Sequence, residues 1–206
     1  MHITLSRFVA TLAGLLLGVT LVTTAAEPVI QGKTTVTAVF AGGCFWCMEP
    51  PYDALPGVVT TTSGFTGGQK ANPSYKEVSG GNTGHVEAVQ IAYDSAKVSY
   101  EKLLEVYWRN VDPLDGGGQF CDRGHEYTTA IFYQNEEQKK LAEQSKSSIE
   151  KQLGRPVATV IRPAMTFYAA EDYHQDYYKK NPIRYKYYRY SCGRDQRLEK
   201  LWGKKD

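Results

Sequence analysis

The sequence predicts an α+β protein, a ferredoxin-like split βαβ sandwich with an extra helix and an irregular C-terminal tail. Two observations carry this prediction. Short apolar or alternating segments, typical of strands, recur along the chain and are separated by amphipathic stretches with the period of a helix. These segments follow one another in the order βαββαβ, which is the order of a sheet layered against helices.

Each predicted element rests on a local pattern. The segment 85–93 alternates between two faces, as a strand does, while 100–111 carries its apolar residues at helical spacing. Asn135 is a suitable N-cap for the next helix, and Gly154 suits its C-terminal end. The predicted strands are 36–40, 58–63, 85–93, 128–133 and 158–161; the predicted helices are one directly after Cys44, 100–111, 135–153 and 169–180, and the tail begins at about residue 181.

The N-terminal segment 1–26 has the layout of a secretory signal peptide. Arg7 precedes an apolar run over 8–22, and the small residues 24–26 follow it. The run is short for a membrane-spanning helix, which needs roughly 20 apolar residues. We therefore expect an exported protein, periplasmic or secreted, with a single domain over 27–206, and contact with a membrane only if the leader stays uncleaved.

The charge of the chain points to no particular partner. The sequence holds 24 Lys and Arg residues against 22 Asp and Glu residues, a net charge of +2. Tyrosines and basic residues crowd the region 168–190, and tyrosines can stack on nucleic-acid bases. Because tyrosines that cover a protein core explain the same pattern, we expect no nucleic-acid partner.

The segment Gly42 to Glu49 places two thiols beside two large aromatic rings, directly after a glycine pair. The glycines follow a predicted strand and mark a sharp turn into a helix, so Cys44 should lie near the N-terminus of that helix. Unpaired backbone N–H groups at such an end favour an anion and lower the pKa of a thiol. The pattern therefore predicts a reactive cysteine beside an apolar pocket.

Four kinds of chemistry could use this turn. The spacing of Cys44 and Cys47 fits a thioredoxin-like dithiol, but large aromatic residues separate the pair. His174 lies at a distance suited to a papain-like protease, yet the signature around that protease's cysteine is absent. Zinc would need a second close pair, and Cys121 and Cys192 are 71 positions apart. Attack of a thiolate on an electrophilic sulfur, followed by rescue of the sulfenic acid by another thiol, uses the whole motif.

Glu87 shares one face of the predicted strand 85–93 with apolar residues. A carboxyl group against an apolar surface has a raised pKa and can hold a proton near neutral pH. The alternative is a glutamate at the solvated start of the strand, and alternation alone does not choose between the two. In the sulfur chemistry, Glu87 would protonate a leaving oxygen while Phe45 and Trp46 held an S-methyl group.

Five motifs together resemble the A-type peptide methionine sulfoxide reductases. The resemblance runs from about Thr37 to Gln175, and its motifs stand in the family's order. It implies reduction of the S epimer of methionine sulfoxide, free or in proteins, and so the repair of oxidised exported proteins. The matching segments are GCFWCME from Gly43, NPSY from Asn72, GHVEAV from Gly84, DRG from Asp122 with Tyr127, and AEDYHQ from Ala170.

The resemblance assigns roles in this sequence residue by residue. It implies that the enzyme needs no metal ion or organic cofactor, and that an external thioredoxin-like dithiol protein is its reductant. The implied roles are Cys44 as nucleophile, Phe45 and Trp46 as walls of the methyl pocket, Glu87 as proton donor, Tyr75 and Tyr127 as hydroxyls for the sulfoxide oxygen, Asp122 as a substrate-positioning group, and Cys192 as the resolving cysteine.

Some assignments stay open at this level. Cys47 is a rival to Cys192 as the resolving residue, because a helix would place it on the turn next to Cys44. Cys121 has either no redox role or a part in a second exchange. A general thiol-disulfide exchange protein, without sulfoxide reductase activity, remains the alternative function.

Overall fold

A computed structural model of the protein describes His2 and residues 35–204. The predicted leader over residues 1–26 and its cleavage site lie outside the continuous described part. From Thr35 onward the described residues belong to one compact unit, Gly32–Asp206.

The described chain forms eight strands and seven α-helices, with one 3-10 turn. Each of the five predicted strands is present within a few residues of its predicted bounds. In chain order the elements are β1 Thr35–Gly42, α1 Phe45–Asp53, β2 Val58–Thr66, α2 Tyr75–Ser79, β3 Val86–Asp94, α3 Tyr100–Arg109, β4 Gly118–Gln119, β5 Asp122–Arg123, a 3-10 turn His125–Tyr127, β6 Thr129–Tyr133, α4 Glu136–Leu153, β7 Val160–Pro163, β8 Tyr168–Ala169, α5 Tyr177–Lys180, α6 Pro182–Ser191 and α7 Arg194–Trp202.

Six strands form one sheet in the order β7-β6-β1-β3-β2-β8. Its four central strands, β6-β1-β3-β2, pair antiparallel, whereas β7 pairs with β6 in parallel. This central arrangement is the one expected of a split βαβ plan, and the edge strands β7 and β8 extend it. The predicted α+β architecture is confirmed.

The main core lies between one face of the sheet and the helices. Phe40 of β1 is fully buried, and its ring lies 5.9 Å from that of Tyr52 in α1 and 5.2 Å from that of Tyr107 in α3. Burial of one such side chain contributes about 1.5–3 kcal/mol. These contacts fix α1 against β1, and they therefore fix the start of α1, where Cys44 lies.

The predicted helix over 169–180 is wrong for most of its length. Only Tyr177–Lys180 is helical, because side chains of the preceding segment hold the backbone in turns. Gln175 bonds the backbone of Ser63 through both ends of its amide, at 2.8 Å and 2.9 Å. Asp176 takes a left-handed conformation, with φ of 53°, which ends any regular helix there.

The C-terminal tail is helical, in contrast to the irregular tail that was predicted. Pro182 is the first residue of α6, where its missing N–H costs nothing. Gly193, in a left-handed conformation, separates α6 from α7. Among the described residues, no helix is long and apolar enough to cross a membrane.

Candidate active site

A small cavity of about 90 Å³ lies at the start of α1. A larger groove of about 960 Å³ lies between α3 and α7, but no cysteine lines it, so chemistry and not size identifies the site. Seven of the eight residues that line the small cavity were predicted as site residues. The lining residues are Cys44, Phe45, Trp46, Tyr75, Glu87, Asp122, Tyr127 and Tyr188.

The turn between β1 and α1 places Cys44 at the N-cap position of α1, as predicted. Gly43 makes this turn possible, because its φ is +76°, a conformation that favours glycine. A Cβ atom at position 43 would also lie only 2.5 Å from the Cβ of Gln119. Any other residue here would strain the turn and clash with the side chain of Gln119.

The predicted lowering of the pKa of Cys44 is wrong for this state of the site. Cys44 is only 6% exposed, and burial raises its pKa, helped by the hydrogen bond with Cys47 and the nearby carboxyl groups of Glu87 and Asp122. Loss of hydration disfavours the thiolate more than the helix N-terminus favours it. The hydrogen bond with Cys44 lowers the pKa of Cys47, and the charge of Arg194 acts in the same direction.

Glu87 of β3 is buried at the base of the cavity, so the alternative of a solvated glutamate is excluded. Its side chain is 2% exposed, and its Oε2 accepts the backbone N–H of Phe45 at 3.0 Å. Burial raises the pKa of Glu87 well above its ordinary value, which outweighs the lowering effect of that hydrogen bond. Glu87 is therefore held as a neutral acid beside the residue that follows Cys44.

Two tyrosine hydroxyls share the cavity with Glu87. Tyr75 begins α2 and Tyr127 ends the 3-10 turn, and their hydroxyls interact with each other. Burial raises the pKa of Tyr75 to about 12 and also raises that of Tyr127. Both phenols keep their protons at neutral pH, so both can donate a hydrogen bond to an oxygen atom bound in the cavity.

Trp46 in the aromatic wall of the cavity is held in place by contacts with Tyr177 and His174. The ring of Trp46 stacks on that of Tyr177 at 3.7 Å and 8°, and its Nε1–H donates to Nδ1 of His174 at 3.0 Å. His174 must therefore carry its proton on Nε2, and burial lowers its pKa, which keeps it neutral. Because His174 binds Trp46 and not a thiol, the arrangement of a papain-like protease is absent.

A disulfide joins Cys121 and Cys192 beside the cavity, while Cys44 and Cys47 are free thiols. Asp122 connects the disulfide to the cavity: its carboxylate accepts the hydroxyl proton of Tyr188 in a short hydrogen bond, and its Oδ2 lies 3.9 Å from Sγ of Cys192. The predicted bond between Cys44 and Cys192 belongs to turnover and stays a prediction. Cys192 is the one predicted site residue that does not line the cavity.

Three residues that support the site were not assigned to it from sequence: His174, which was considered only as a protease residue, Tyr177 and Tyr188. All lie in the tyrosine-rich region that was interpreted as a cover for the core. That region does cover buried surface, but the surface includes the wall of the cavity.

Cys121, Asp122 and Cys192 also form the one group of potential metal ligands among the described residues, and the disulfide occupies both of its sulfur atoms.

Glu49 of α1 is a buried residue that supports the aromatic wall formed by Trp46 and Tyr177. It is 1% exposed, and its Oε1 accepts the backbone N–H of Asp176, next to Tyr177, at 3.5 Å. Burial raises its pKa to about 7, compared with roughly 4.3 in an unfolded chain. The folded state therefore binds this proton more tightly, and the free energy of unfolding falls as pH rises from about 4 to about 7.

Replacement of Glu49 by glutamine is expected to remove the loss of stability that occurs as pH rises. At roughly 1.4 kcal/mol per pKa unit, Glu49→Gln should raise the free energy of unfolding by about 3 kcal/mol at pH 8, and by much less at pH 5. Urea unfolding at the two pH values measures the difference, with Glu143→Gln, at an exposed position of α4, as the control. A stabilisation of equal size at both pH values would contradict the expectation.

The fold and the site together define a class: an α+β thiol oxidoreductase with a buried pair of free thiols, a neutral carboxylic acid and a second, disulfide-bonded cysteine pair. Comparisons with known proteins identify the family. The family model of peptide methionine sulfoxide reductase matches residues 36–206. The chain belongs to the peptide methionine sulfoxide reductase family. It is an oxidoreductase that reduces methionine sulfoxide, as the resemblance of its motifs predicted.

Individual relatives agree with this assignment. The chain is 55% identical to the peptide methionine sulfoxide reductase MsrA of Bacillus licheniformis over 174 residues, which cover 82% of this chain and 94% of that protein. It is 54% identical to MsrA 2 of Rhizobium meliloti, over 81% of this chain and 83% of that protein.

Two solved structures share the fold. Reduced Mxr1 from Saccharomyces cerevisiae matches with a TM-score of 0.69 and 30% identity, over 72% of this chain and 87% of that one. Methionine sulfoxide reductase A of Corynebacterium diphtheriae matches with a TM-score of 0.65 and 32% identity, over 72% and 76%.

Proposed function

We propose that this enzyme reduces the S epimer of methionine sulfoxide, free or in proteins, with Cys44 as nucleophile and Glu87 as general acid. The observation that carries the proposal is the hydrogen bond from the Phe45 backbone to Glu87, at 3.0 Å. It holds a buried, protonated carboxyl group beside the nucleophile, in a cavity with an aromatic wall. A neutral acid is what protonation of a sulfoxide oxygen requires.

The first step moves one oxygen atom from the substrate to the enzyme. The methyl group lies against Phe45 and Trp46, and the sulfoxide oxygen accepts hydrogen bonds from the tyrosine hydroxyls. Sγ of Cys44 attacks the sulfoxide sulfur while Glu87 gives its proton to the oxygen, and the thiol proton of Cys44 restores Glu87. The new bond between the two sulfur atoms and the substrate's S–O bond then break, as the hydroxyl group passes from the substrate sulfur to Sγ of Cys44. The products are a thioether and a sulfenic acid on Cys44, so methionine gains the two electrons that the cysteine loses.

Two thiol exchanges then return Cys44 to its starting form. Cys192 attacks the sulfenic sulfur of Cys44, and a disulfide forms with release of water. Cys121 next attacks the sulfur of Cys192, which leaves Cys44 as a thiol and joins Cys121 to Cys192. The bonding found in the structure, with Cys44 and Cys47 free, corresponds to the product of this second exchange. Cys47 is the rival first partner, because it is hydrogen-bonded to Cys44.

A thioredoxin-like dithiol protein completes the cycle by reducing the disulfide between Cys121 and Cys192, which is called the outer disulfide below. Support comes from the exposure of Cys121 at the surface and from the yeast neighbour Mxr1, which has been solved in complex with Trx2. We also propose that the protein is exported and repairs oxidised exported proteins, on the basis of the leader-like sequence over residues 1–26. N-terminal sequencing of the exported protein tests that part: a chain that still begins at Met1 would contradict cleavage.

Turnover of two peptides, one with S and one with R methionine sulfoxide, tests the proposed activity. With dithiothreitol as reductant, we expect methionine from the S peptide and little from the R peptide, because only one epimer can place both its methyl group and its oxygen in the cavity. Preference for R would overturn the proposal. Reduction of insulin disulfides without any turnover of either peptide would favour the general thiol-exchange alternative.

A further inference from the structure

The outer face of α6 carries a row of exposed apolar side chains. Ile183, Tyr187 and Tyr190 are 84%, 74% and 72% exposed, and their spacing of four and three residues places them on one side of the helix. These three residues are called the α6 stripe below. Single exposed apolar residues are common, but a contiguous row marks an interaction surface.

The α6 stripe is not needed to attach α6 to the rest of the chain. The opposite side of the helix does that: the hydroxyl of Tyr188 bonds Asp122, and the ring of Tyr185 packs 6.0 Å from that of Tyr178. Within residues 35–204, the two tyrosines of the stripe have no ring contact and no hydrogen bond from their side chains. The stripe is therefore open to a partner.

The outer disulfide lies at the C-terminal end of α6, on the side of Tyr188 and opposite the stripe, since Tyr188 and Cys192 both contact Asp122. Cys192 is the C-cap residue of α6, directly after the last turn that carries Tyr190, and it is bonded to Cys121, which is exposed. In contrast, Cys44 is 6% and Cys47 is 1% exposed. Because a thiolate must reach the sulfur that it attacks, a protein reductant can approach Cys121 but not the inner pair.

The charges around the stripe indicate what kind of surface would bind there. The chain has no acidic residue from Tyr177 to Arg194. Arg184 and Lys186 are exposed beside the stripe, and neither forms a salt bridge within the described part of the chain. A partner with an apolar centre and an acidic rim would be complementary to this face.

We propose that the α6 stripe is the docking surface for a dithiol protein reductant, which binds there, extends past the C-terminal end of α6 and attacks the exposed Cys121. This inference rests on the proposed function, since it concerns the protein that reduces this enzyme. A thiolate of the partner bonds to Sγ of Cys121, and the bond between Cys121 and Cys192 breaks. The electron pair goes to Sγ of Cys192, which takes up a proton. The second thiol of the partner then displaces Cys121, so the partner leaves as a disulfide and the enzyme gains two electrons.

Kinetics with two reductants test the docking surface. The variant Ile183→Glu/Tyr187→Glu places two charges in the stripe, of the same sign as the partner's expected rim. With a bacterial thioredoxin, kept reduced, as the probe, we expect the KM for thioredoxin to rise about tenfold or more, because loss of apolar anchors at an interface commonly has this effect. With dithiothreitol, which needs no docking, the rate should stay within about twofold of wild type. Val59→Glu, at another exposed apolar position, is the matched control and should change neither.

The outcomes separate this proposal from the proposed function. An unchanged KM for thioredoxin in the double variant overturns the docking surface, even if sulfoxide reduction proceeds normally with dithiothreitol. Failure of the wild type with dithiothreitol would overturn the proposed function itself. A thioredoxin without its second active-site thiol supplies another readout. Mass spectrometry should find it linked to Cys121, and linkage to Cys44 or Cys47 would contradict the proposed point of attack.

Discussion

Replacement of Cys44 by serine is expected to abolish the release of methionine from S methionine sulfoxide, with any reductant. Serine fills nearly the same volume at this buried position, so the fold should be retained. Its hydroxyl, however, is not ionised near neutral pH and cannot form a sulfenic acid. Chromatographic detection of methionine measures the loss, and an unchanged circular dichroism spectrum excludes unfolding. Residual activity above a few per cent would assign the nucleophile to another residue.

Disulfide mapping extends this test to the later steps. In a fully reduced Cys121→Ser variant, one equivalent of substrate should leave Cys44 joined to Cys192, because the second exchange is blocked. In the reduced wild type, the same treatment should end with Cys121 joined to Cys192, as found in the structure. Peptide mapping by mass spectrometry distinguishes these products. A bond between Cys44 and Cys47 in the variant would contradict Cys192 as the resolving residue.

Replacement of Glu87 by glutamine is expected to lower kcat by about 10² to 10⁴-fold, the usual contribution of a general acid. Glutamine keeps an oxygen for the Phe45 N–H and has nearly the same shape. Its amide can donate a hydrogen bond but cannot transfer a proton to the leaving oxygen. The KM for substrate should change little, because the methyl pocket and the tyrosine hydroxyls remain. Steady-state kinetics with dithiothreitol would measure both quantities.

The pH dependence gives a sharper test of the same residue. In the proposed mechanism the protonated form of Glu87 is the active one, so the wild-type rate should fall as pH rises through its raised pKa. Glutamine should remove that alkaline limb. Because the folded state binds this proton more tightly than the unfolded chain, Glu87 lowers stability at high pH, and Glu87→Gln should raise the free energy of unfolding more at pH 8 than at pH 4. An alkaline limb that survives in the variant would assign it to another group.

Local patterns were enough to predict most of the sheet and the helices that cover it. Alternation in β3 and the cap residues Asn135 and Gly154 report on backbone geometry that is decided within a few residues, so their elements lie near their predicted bounds. The prediction of a helix before Tyr177 was wrong because distant residues, and not neighbouring ones, decide the backbone there. Its helical composition is overridden by bonds from Gln175 to Ser63 and from Trp46 to His174, more than 100 positions apart along the chain.

Some features of the site also follow from local sequence, whereas others depend on the packed structure. The order of residues from Gly43 to Trp46 already placed the thiol and the aromatic rings together, because a tight turn before a helix is a local structure. The protonation of Glu87 and the raised pKa of Cys44 depend on burial, which requires the packed sheet and helix. The pairing of Cys121 with Cys192 joins positions 71 apart and depends on where α6 packs.

The sequence by itself therefore determined the fold class, the reactive turn and, through its motifs, the family. Only the tertiary structure decided which groups hold protons, which thiols are bonded, and that the tyrosine-rich tail is a helix that closes the site. The physical reason is the separation along the chain of the residues that interact. Turns, caps and strand alternation are set by neighbouring residues, whereas desolvation and contacts between distant side chains exist only once the chain is packed.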